Sequence, residues 1–505
     1  MVHKCLNCWH VSIMAGLGAL LVGCATPKKY ANYHAFYSAG AYDDARGVLL
    51  KKEPNLANVS LDSDPEPGSM DADYLLEDLM IGSADQMRGD REEAEKAFIA
   101  ADRIYQDTLA QEGLVGGGAV QVGKVLTSDT SGMYRGRFYE GVMAGTYKAM
   151  EAWARGDDPN VVRMRFRQLS ERQRLAAAHF KKQIEQEEEA AKKEAAENKD
   201  RMEGISLGDI LQSKEMLEKK KEFFAGAYQI VSYSEYDNPF SHYIEGLYRM
   251  LSEPDDSSAL EMAIQSFRHA YHVSGANAIA QECAIADALA DQVKIKPSAL
   301  NRQMWVILEN GLCPIREEEK IILPVPIKGT IVTACLAWPR LAEVQGEYAG
   351  WVLRNNGVEL KRMASVCNLD RVAAAEYKTE LKGIWTRQTC SALIKCVVQY
   401  VSQKQMEKWG GQDMAPLIGV ALGAGSAAIT HADTRCWSSL PKDILVARVK
   451  IPEDGTVELW VDGAVQPLLT MHVESMDAPS VVWVKSPKAG APLSAVVMNG
   501  DVKIK

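Results

Sequence analysis

Leu21-Val22-Gly23-Cys24 closes an apolar N-terminal stretch, and it is the one place in this 505-residue chain where residue types and spacing specify a reaction. A leucine three positions before a cysteine and a glycine directly before it make a bacterial lipobox. Cleavage ahead of Cys24 and lipidation of its thiol are the expected chemistry. Other chemistry-bearing groups fit their templates poorly. Gly118-x-x-x-x-Gly123-Lys124 has the outline of a phosphate loop, but Val125 stands where Ser or Thr would hold magnesium, and the segment before it reads as helix. Ser439-Leu440-Pro441-Lys442 has the Ser-x-x-Lys spacing of penicillin-recognising enzymes, which need the pair one helical turn apart; Pro441 opposes that, and no Lys-Thr-Gly follows. His269 and His272 are three apart on one helix without the glutamate of a metalloprotease pattern, so they read as ordinary residues of a repeat helix. Gly423-Ala424-Gly425-Ser426-Ala427-Ala428 lacks the preceding strand and the later acid of a dinucleotide loop. No catalytic residue, metal ligand set or cofactor is expected from these groups.

The leader has the order of a signal peptide. Met1–His10 carries Lys4 and no acid, and Val11–Val22 is an apolar run of about a dozen residues, shorter than the roughly 20 a spanning helix needs. Ala25 follows the cysteine. Sorting systems that retain Asp-bearing lipoproteins at the inner membrane would route such a chain to the outer membrane. A lipidated cysteine anchors through its acyl chains at about 0.8 kcal/mol per buried methylene, with no need of a transmembrane helix. Residues 24–505 exceed one core and suggest two or three domains. The formal net charge of −10 argues against nucleic acid as a partner. Seven cysteines remain beyond Cys24: Cys283, Cys313, Cys335, Cys367, Cys390, Cys396 and Cys436. The oxidising periplasm allows disulfides, but the odd number leaves at least one thiol over, and no spacing sets a framework. Cys390 and Cys396, six apart on one helix, point to different faces.

From residue 24 to about 300 the pattern is helical, and one unit recurs. Gly40-Ala41-Tyr42-Asp43-Asp44-Ala45, then Gly89-Asp90-Arg91-Glu92-Glu93-Ala94 leading to Phe98 and Ala101, then the region of Gly246, Ala259, Ala263, Phe267 and Ala270, read as turns between paired amphipathic helices. In each the glycine is expected to close the first helix and the alanine to let the second pack close, as in tetratricopeptide-like repeats. Gly156-Asp157-Asp158 before Phe166 is a weaker fourth. A glycine-rich loop over 113–132 and a charged helical extension over 175–222 interrupt the array; the extension's charges read as a solvated face. Near Met304 the period changes to 2. Residues 301–370 and 437–505 read as a β-rich domain like a small β-sandwich, with hairpins expected for Val446–Ile451 with Thr456–Val461 and for Leu469–Val473 with Val481–Lys485. Residues 371–436 form a helical insertion. Within it 414–430 is uncharged, at the lower length limit for a span, and is expected to be buried, to bind a partner or to touch the membrane. The fold class expected is α+β: a TPR-like helical domain followed by an interrupted β-sandwich-like domain.

Several segments carry a resemblance. They are the lipobox, the glycine-rich loop leading to Tyr134-Arg135 and Tyr139-Glu140, the stretch from Arg163 to Gln173, Asn238-Pro239 before a repeat helix, Glu309-x-Gly311-x-x-Pro314, Leu323-Pro324, and Ala432-Asp433-Thr434-Arg435-x-Trp437-x-x-Leu440-Pro441. Together they resemble a family of bacterial tetratricopeptide-like lipoproteins, predicted outer-membrane proteins of unknown function, over nearly the whole mature chain. The resemblance carries no activity to transfer; it implies a layout similar to envelope-assembly factors. Tyr134, Arg135, Tyr139 and Glu140 are candidate interaction residues, since Tyr and Arg favour interface hot spots. Equally, they could anchor the glycine-rich loop to the helices.

The function expected is a non-enzymatic, lipid-anchored scaffold facing the periplasm, with the membrane as partner through Cys24 and an envelope protein as the other. One alternative is an envelope enzyme or ligand binder acting on peptidoglycan or glycans through a pocket gathering Tyr134, Arg135 and Glu140. Another is an accessory lipoprotein of a secretion or membrane complex, resting on 414–430.

Overall fold

Helix pairs form wherever a left-handed glycine or a capping side chain separates two amphipathic runs. The computed structural model describes residues 28–49, 55–114, 133–175, 189, 213–227, 230–233, 237–291, 295–327, 330–408 and 431–505. Cys24, residues 115–132 of the glycine-rich loop, most of the charged extension and the apolar segment 414–430 lie outside the described residues. The helices are α1 (Lys28–Ser38), α2 (Tyr42–Gly47), α3 (Leu75–Arg88), α4 (Arg91–Leu114), α5 (Phe138–Arg155), α6 (159–175), α7 (Lys214–Ala227), α8 (Pro239–Ser252), α9 (Ser257–Ser274), α10 (Asn277–Ala290) and α11 (Leu369–Lys408). Gly89 (φ 83°) and Gly156 (φ 78°) end α3 and α5 in a conformation that returns their N–H groups to the preceding turn. Asn238 and Asp256 cap α8 and α9 by accepting from backbone N–H groups of the first turn.

One contact recurs inside the pairs. A Cβ on Gly82 of α3 would lie 2.6 Å from the Phe98 ring of α4, and one on Gly246 of α8 would lie 2.9 Å from the Phe267 ring of α9. Ala94, Phe98 and Ala101, then Val162, Phe166 and Leu169, then Ala263, Phe267 and Ala270 repeat one spacing, all buried. Gly246 therefore does not close its helix, as the sequence pattern had suggested. It lies mid-helix and gives its missing side chain's space to an aromatic ring. Gly82→Val should cost about 2–3 kcal/mol by overpacking. Thermal unfolding followed by circular dichroism will show it as a lowered midpoint, with no change for Gly47→Ala, where a Cβ meets nothing within 4 Å.

Among the described residues the strands are β1 (Gln303–Asn310), β2 (Ile315–Ile327), β3 (Thr330–Ala342), β4 (Trp351–Asn355), β5 (Val358–Arg362), β6 (Ala364–Asn368), β7 (Asp443–Lys450), β8 (Thr456–Val461), β9 (Leu469–Ser475), β10 (Ser480–Ser486), β11 (Ser494–Asn499) and β12 (Asp501–Ile504). One sheet has the order β11-β10-β1-β7-β6, with β1 parallel to β10 and antiparallel to β7; a second has the order β12-β9-β8-β4-β5. Alternation along β1 sorts its side chains. Met304, Val306 and Leu308 join a core shared with the second sheet, whereas Trp305 and Ile307 join the helical core. That helical core runs without a break from Tyr33 to Met498, so the first sheet's outer face is a wall of the helical region.

Two expected hairpins are absent. β7 and β8, and likewise β9 and β10, lie in different sheets. Both edges of β7 are taken by β1 and β6, and both edges of β10 by β1 and β11, so each following or preceding strand crosses to the other layer. The turn at Asp454-Gly455 is real, but it joins stacked strands, with Ala447 and Val449 in one core with Val457 and Leu459. A separate core holds an arm made of α7, the β2–β3 hairpin and the 40-residue α11. At 1.5 Å per residue that helix is about 60 Å long. Phe223, Trp338 and Trp385 bring the arm's three elements together, with centroids 4.9 and 5.0 Å apart. Among the described residues no helix is long and apolar enough to cross a membrane.

Candidate functional site

Of the four residues expected at an interaction site, Arg135 is exposed and Tyr134, Tyr139 and Glu140 are buried. Glu140 sits in the first turn of α5 at 0 % exposure. Its Oε2 accepts from Tyr134 Oη (2.6 Å), the Arg137 backbone N–H (2.9 Å) and Tyr105 Oη (3.4 Å); its Oε1 accepts from the Trp437 backbone N–H (2.7 Å). Burial pushes its carboxyl up, and the Tyr134 hydroxyl and the Trp437 N–H partly offset this. Trp437 in turn donates to Ser83 Oγ (2.8 Å) and packs on Phe98 and Tyr147. The segments 134–140 and 432–441, far apart in sequence, thus meet in a buried joint rather than at an open pocket. A neighbouring cavity lined by Tyr139, Val142, Gln173, Asp237, Asn238 and Val372 measures about 10 Å³, the size of one water.

The arm is tied to the same helix. Glu376 of α11 accepts from the backbone N–H groups of Phe138 and Tyr139, both at 3.0 Å, placing a carboxylate at the N-terminus of α5. Burial, then the neighbouring Glu380, raise Glu376 to about 7. Glu380 pairs with Arg137 and Arg316, each at 3.0 Å. Glu309 accepts from Tyr147 Oη and Trp483 Nε1, both at 2.9 Å, and pairs with the buried Lys485. Ser439 accepts from Tyr33 Oη, and Lys442 pairs with Glu347, so the Ser-x-x-Lys spacing builds no nucleophile–base pair.

Sequence reasoning missed two arrangements. In the first, an irregular acidic segment, 60–68, lies across α4, α5 and α6. Asp64 accepts from Lys148 Nζ (2.8 Å) and Gln168 Nε2 (2.7 Å); Arg165 donates to Leu61 O (2.7 Å); Gly68 N donates to Asp107 (3.0 Å). Burial pushes Asp64 and Asp102 up, but Lys148 on the one and Arg172 with Lys148 on the other outweigh it and hold both below the usual range. Such a face holds an irregular carboxylate-bearing segment through side chains and backbone together. Only the acidic spacing Asp62, Asp64, Glu66 hinted at it.

In the second, Asp237, His242 and His269 converge. Asp237 Oδ1 and Oδ2 lie 3.1 and 3.2 Å from His242 Nε2, and Oδ2 also meets His269 Nε2. The two imidazole centroids are 4.4 Å apart. Asp237 and His242 are half-buried, and His269 is exposed at the surface of α9. Of the pair His269 and His272, only the former enters the cluster, and its partners come from across the helix pair. Asp237, two residues before α8 begins at Pro239, and His242 on the first turn of that helix are close in sequence; His269 is 27 residues further on and is brought in by helix packing alone.

Comparison of the chain with protein-family models, with curated proteins and with solved structures gave no match.

Proposed function

We propose that this protein is a lipid-anchored scaffold that faces the periplasm at the outer membrane, is held there through Cys24, and binds protein partners in envelope assembly. The finer architecture belongs to the same reading. The helix pairs form a TPR-like array, on the spacing shared by the Phe98, Phe166 and Phe267 helices, and the two five-stranded sheets form a β-sandwich. The observation that carries the functional reading is the segment 60–68 on α4–α6. Helical repeats bind partner segments on their faces, and here such a face already holds an irregular acidic stretch of its own chain through Lys148, Arg165 and Gln168. Burial of Tyr134, Tyr139 and Glu140 moves the candidate contact surface to the exposed side of α6, at Met164 and Arg167.

Photo-crosslinking residues placed at Met164 and Arg167 test this in intact cells. Mass spectrometry of the membrane fraction should return one envelope protein from both positions and none from Val358, which is exposed on β5. Recovery of no specific protein from either position, or of the scaffold in the soluble fraction, would overturn the reading.

A further inference from the structure

The geometry points to a divalent metal site of zinc type formed by Asp237, His242 and His269, with an open coordination position facing solvent. It is independent of the scaffold reading. Three groups with the right donor atoms, two imidazole Nε2 and one carboxylate, lie within 4.8 Å of one another. Zinc takes His nitrogen and carboxylate oxygen at about 2.0–2.2 Å, so neighbouring ligand atoms on a tetrahedral ion sit about 3.3 Å apart. The separations of Asp237 from His242, 3.1 and 3.2 Å, match that edge closely.

The ligands sit on elements held in place by other contacts. Asp237 is fixed by the turn it starts: Asn238 N donates to Asp237 Oδ1 (2.8 Å), and Asn238 Oδ1 accepts from Phe240 N (3.0 Å) as the cap of α8. His242 rides on the first turn of α8 and His269 on the last turns of the antiparallel α9. The distance between those helices is set by the Gly246–Phe267 contact, which leaves no room for a side chain at 246. A site on packed helices keeps its geometry better than one on loops. Both imidazoles present Nε2 to the same carboxylate, so the three donor atoms are close enough to be shared by one cation. With three protein ligands and an exposed third, the fourth position is left to water, as in zinc sites that exchange ligands rather than closed structural ones. Donor type selects the metal class: nitrogen and oxygen without thiolate favour zinc and its neighbours over soft ions.

The test is isothermal titration of the purified, EDTA-treated full chain with zinc chloride, paired with the absorption spectrum of the cobalt(II)-loaded protein. One zinc per chain is expected. Affinity should fall at least ~10-fold in His269→Ala, since losing a ligand costs no less than losing an outer hydrogen-bond partner of one. His272→Ala, one turn along the exposed side of α9, should bind as the parent does. His269 is 47 % exposed, so its replacement should leave the metal-free circular dichroism unchanged; Asp237→Asn then repeats the loss through a second ligand. The cobalt spectrum should lack thiolate charge transfer. Failure of the parent to bind zinc, equal binding by His269→Ala, or a thiolate band that assigns the metal to cysteines would each overturn the proposal.

Discussion

Glu140→Ala should destabilise the protein by about 3–5 kcal/mol, because several buried donors lose their acceptor at once. The residue is fully buried and its two oxygens satisfy four donors from three parts of the chain. Without them the Trp437 and Arg137 N–H groups and two tyrosine hydroxyls stay buried, and each unsatisfied group costs about 1–3 kcal/mol. Trp437 is the lever. Its backbone hangs on Glu140 while its ring fills the space between Phe98 and Tyr147, so losing the carboxylate loosens the joint between the helices and the strands that follow. Against a total stability of about 5–15 kcal/mol this is a large fraction. Urea unfolding should show a much lower midpoint for Glu140→Ala and a loss of about 1 kcal/mol for Tyr134→Phe, which deletes a single hydrogen bond. A Glu140→Ala midpoint within error of the parent would show that the joint is held by packing alone.

Stability should also fall as pH rises from about 4.5 to 7, and Glu376 should contribute much of the slope. Its folded carboxyl titrates near 7 through burial and the nearby Glu380, against 4.5 when unfolded. Between those values the folded state holds a proton that the unfolded state has released, so folding is favoured at the acidic end and the contribution is lost as pH passes 7. A displacement of that size is worth up to about 3 kcal/mol. Burial raises Glu95 and Asp370 to about 7 and Asp443 to about 6, with the same sign. Asp64, Asp102 and Asp433 act oppositely. Burial pushes them up, but their cationic partners outweigh it and lower them, so their contribution is lost only as pH falls below about 4. These groups together place the optimum at about pH 4–5. Denaturation at pH 5 and pH 8 should show a smaller difference for Glu376→Gln than for the parent, because a neutral amide resembles the protonated acid. Parallel pH curves for the two proteins would refute the assignment.

Much of the scaffold was legible in the sequence, and the reasons are local. Apolar residues at helical spacing beside Gly89 and Gly156 placed α3–α6 because turn conformation and amphipathicity are properties of neighbouring residues. The same holds for the change to period 2 at Met304 and for the turn at Asp454-Gly455. Partners were not legible. Whether a turn joins hydrogen-bonded or stacked strands depends on which edges other strands occupy, and β1 takes an edge of both β7 and β10 from more than a hundred residues away. Gly246 looked like punctuation because nothing nearby in sequence names Phe267 as the ring it must clear.

The candidate groups divide along the same line. Residue type and spacing by themselves pointed to the helical and β regions, the segments around Tyr134, Glu140, Glu309 and Trp437 stood out only through a resemblance, and lipidation of Cys24 is an expectation of the sequence alone. Only the tertiary structure decided what those segments do. It buried Glu140 beneath Trp437, laid an acidic segment across Lys148 and Arg165, and carried His269 to Asp237 and His242. The physical reason is that a side chain's role is set by its solvation and its charged neighbours, and both are properties of the packed chain rather than of adjacent residues.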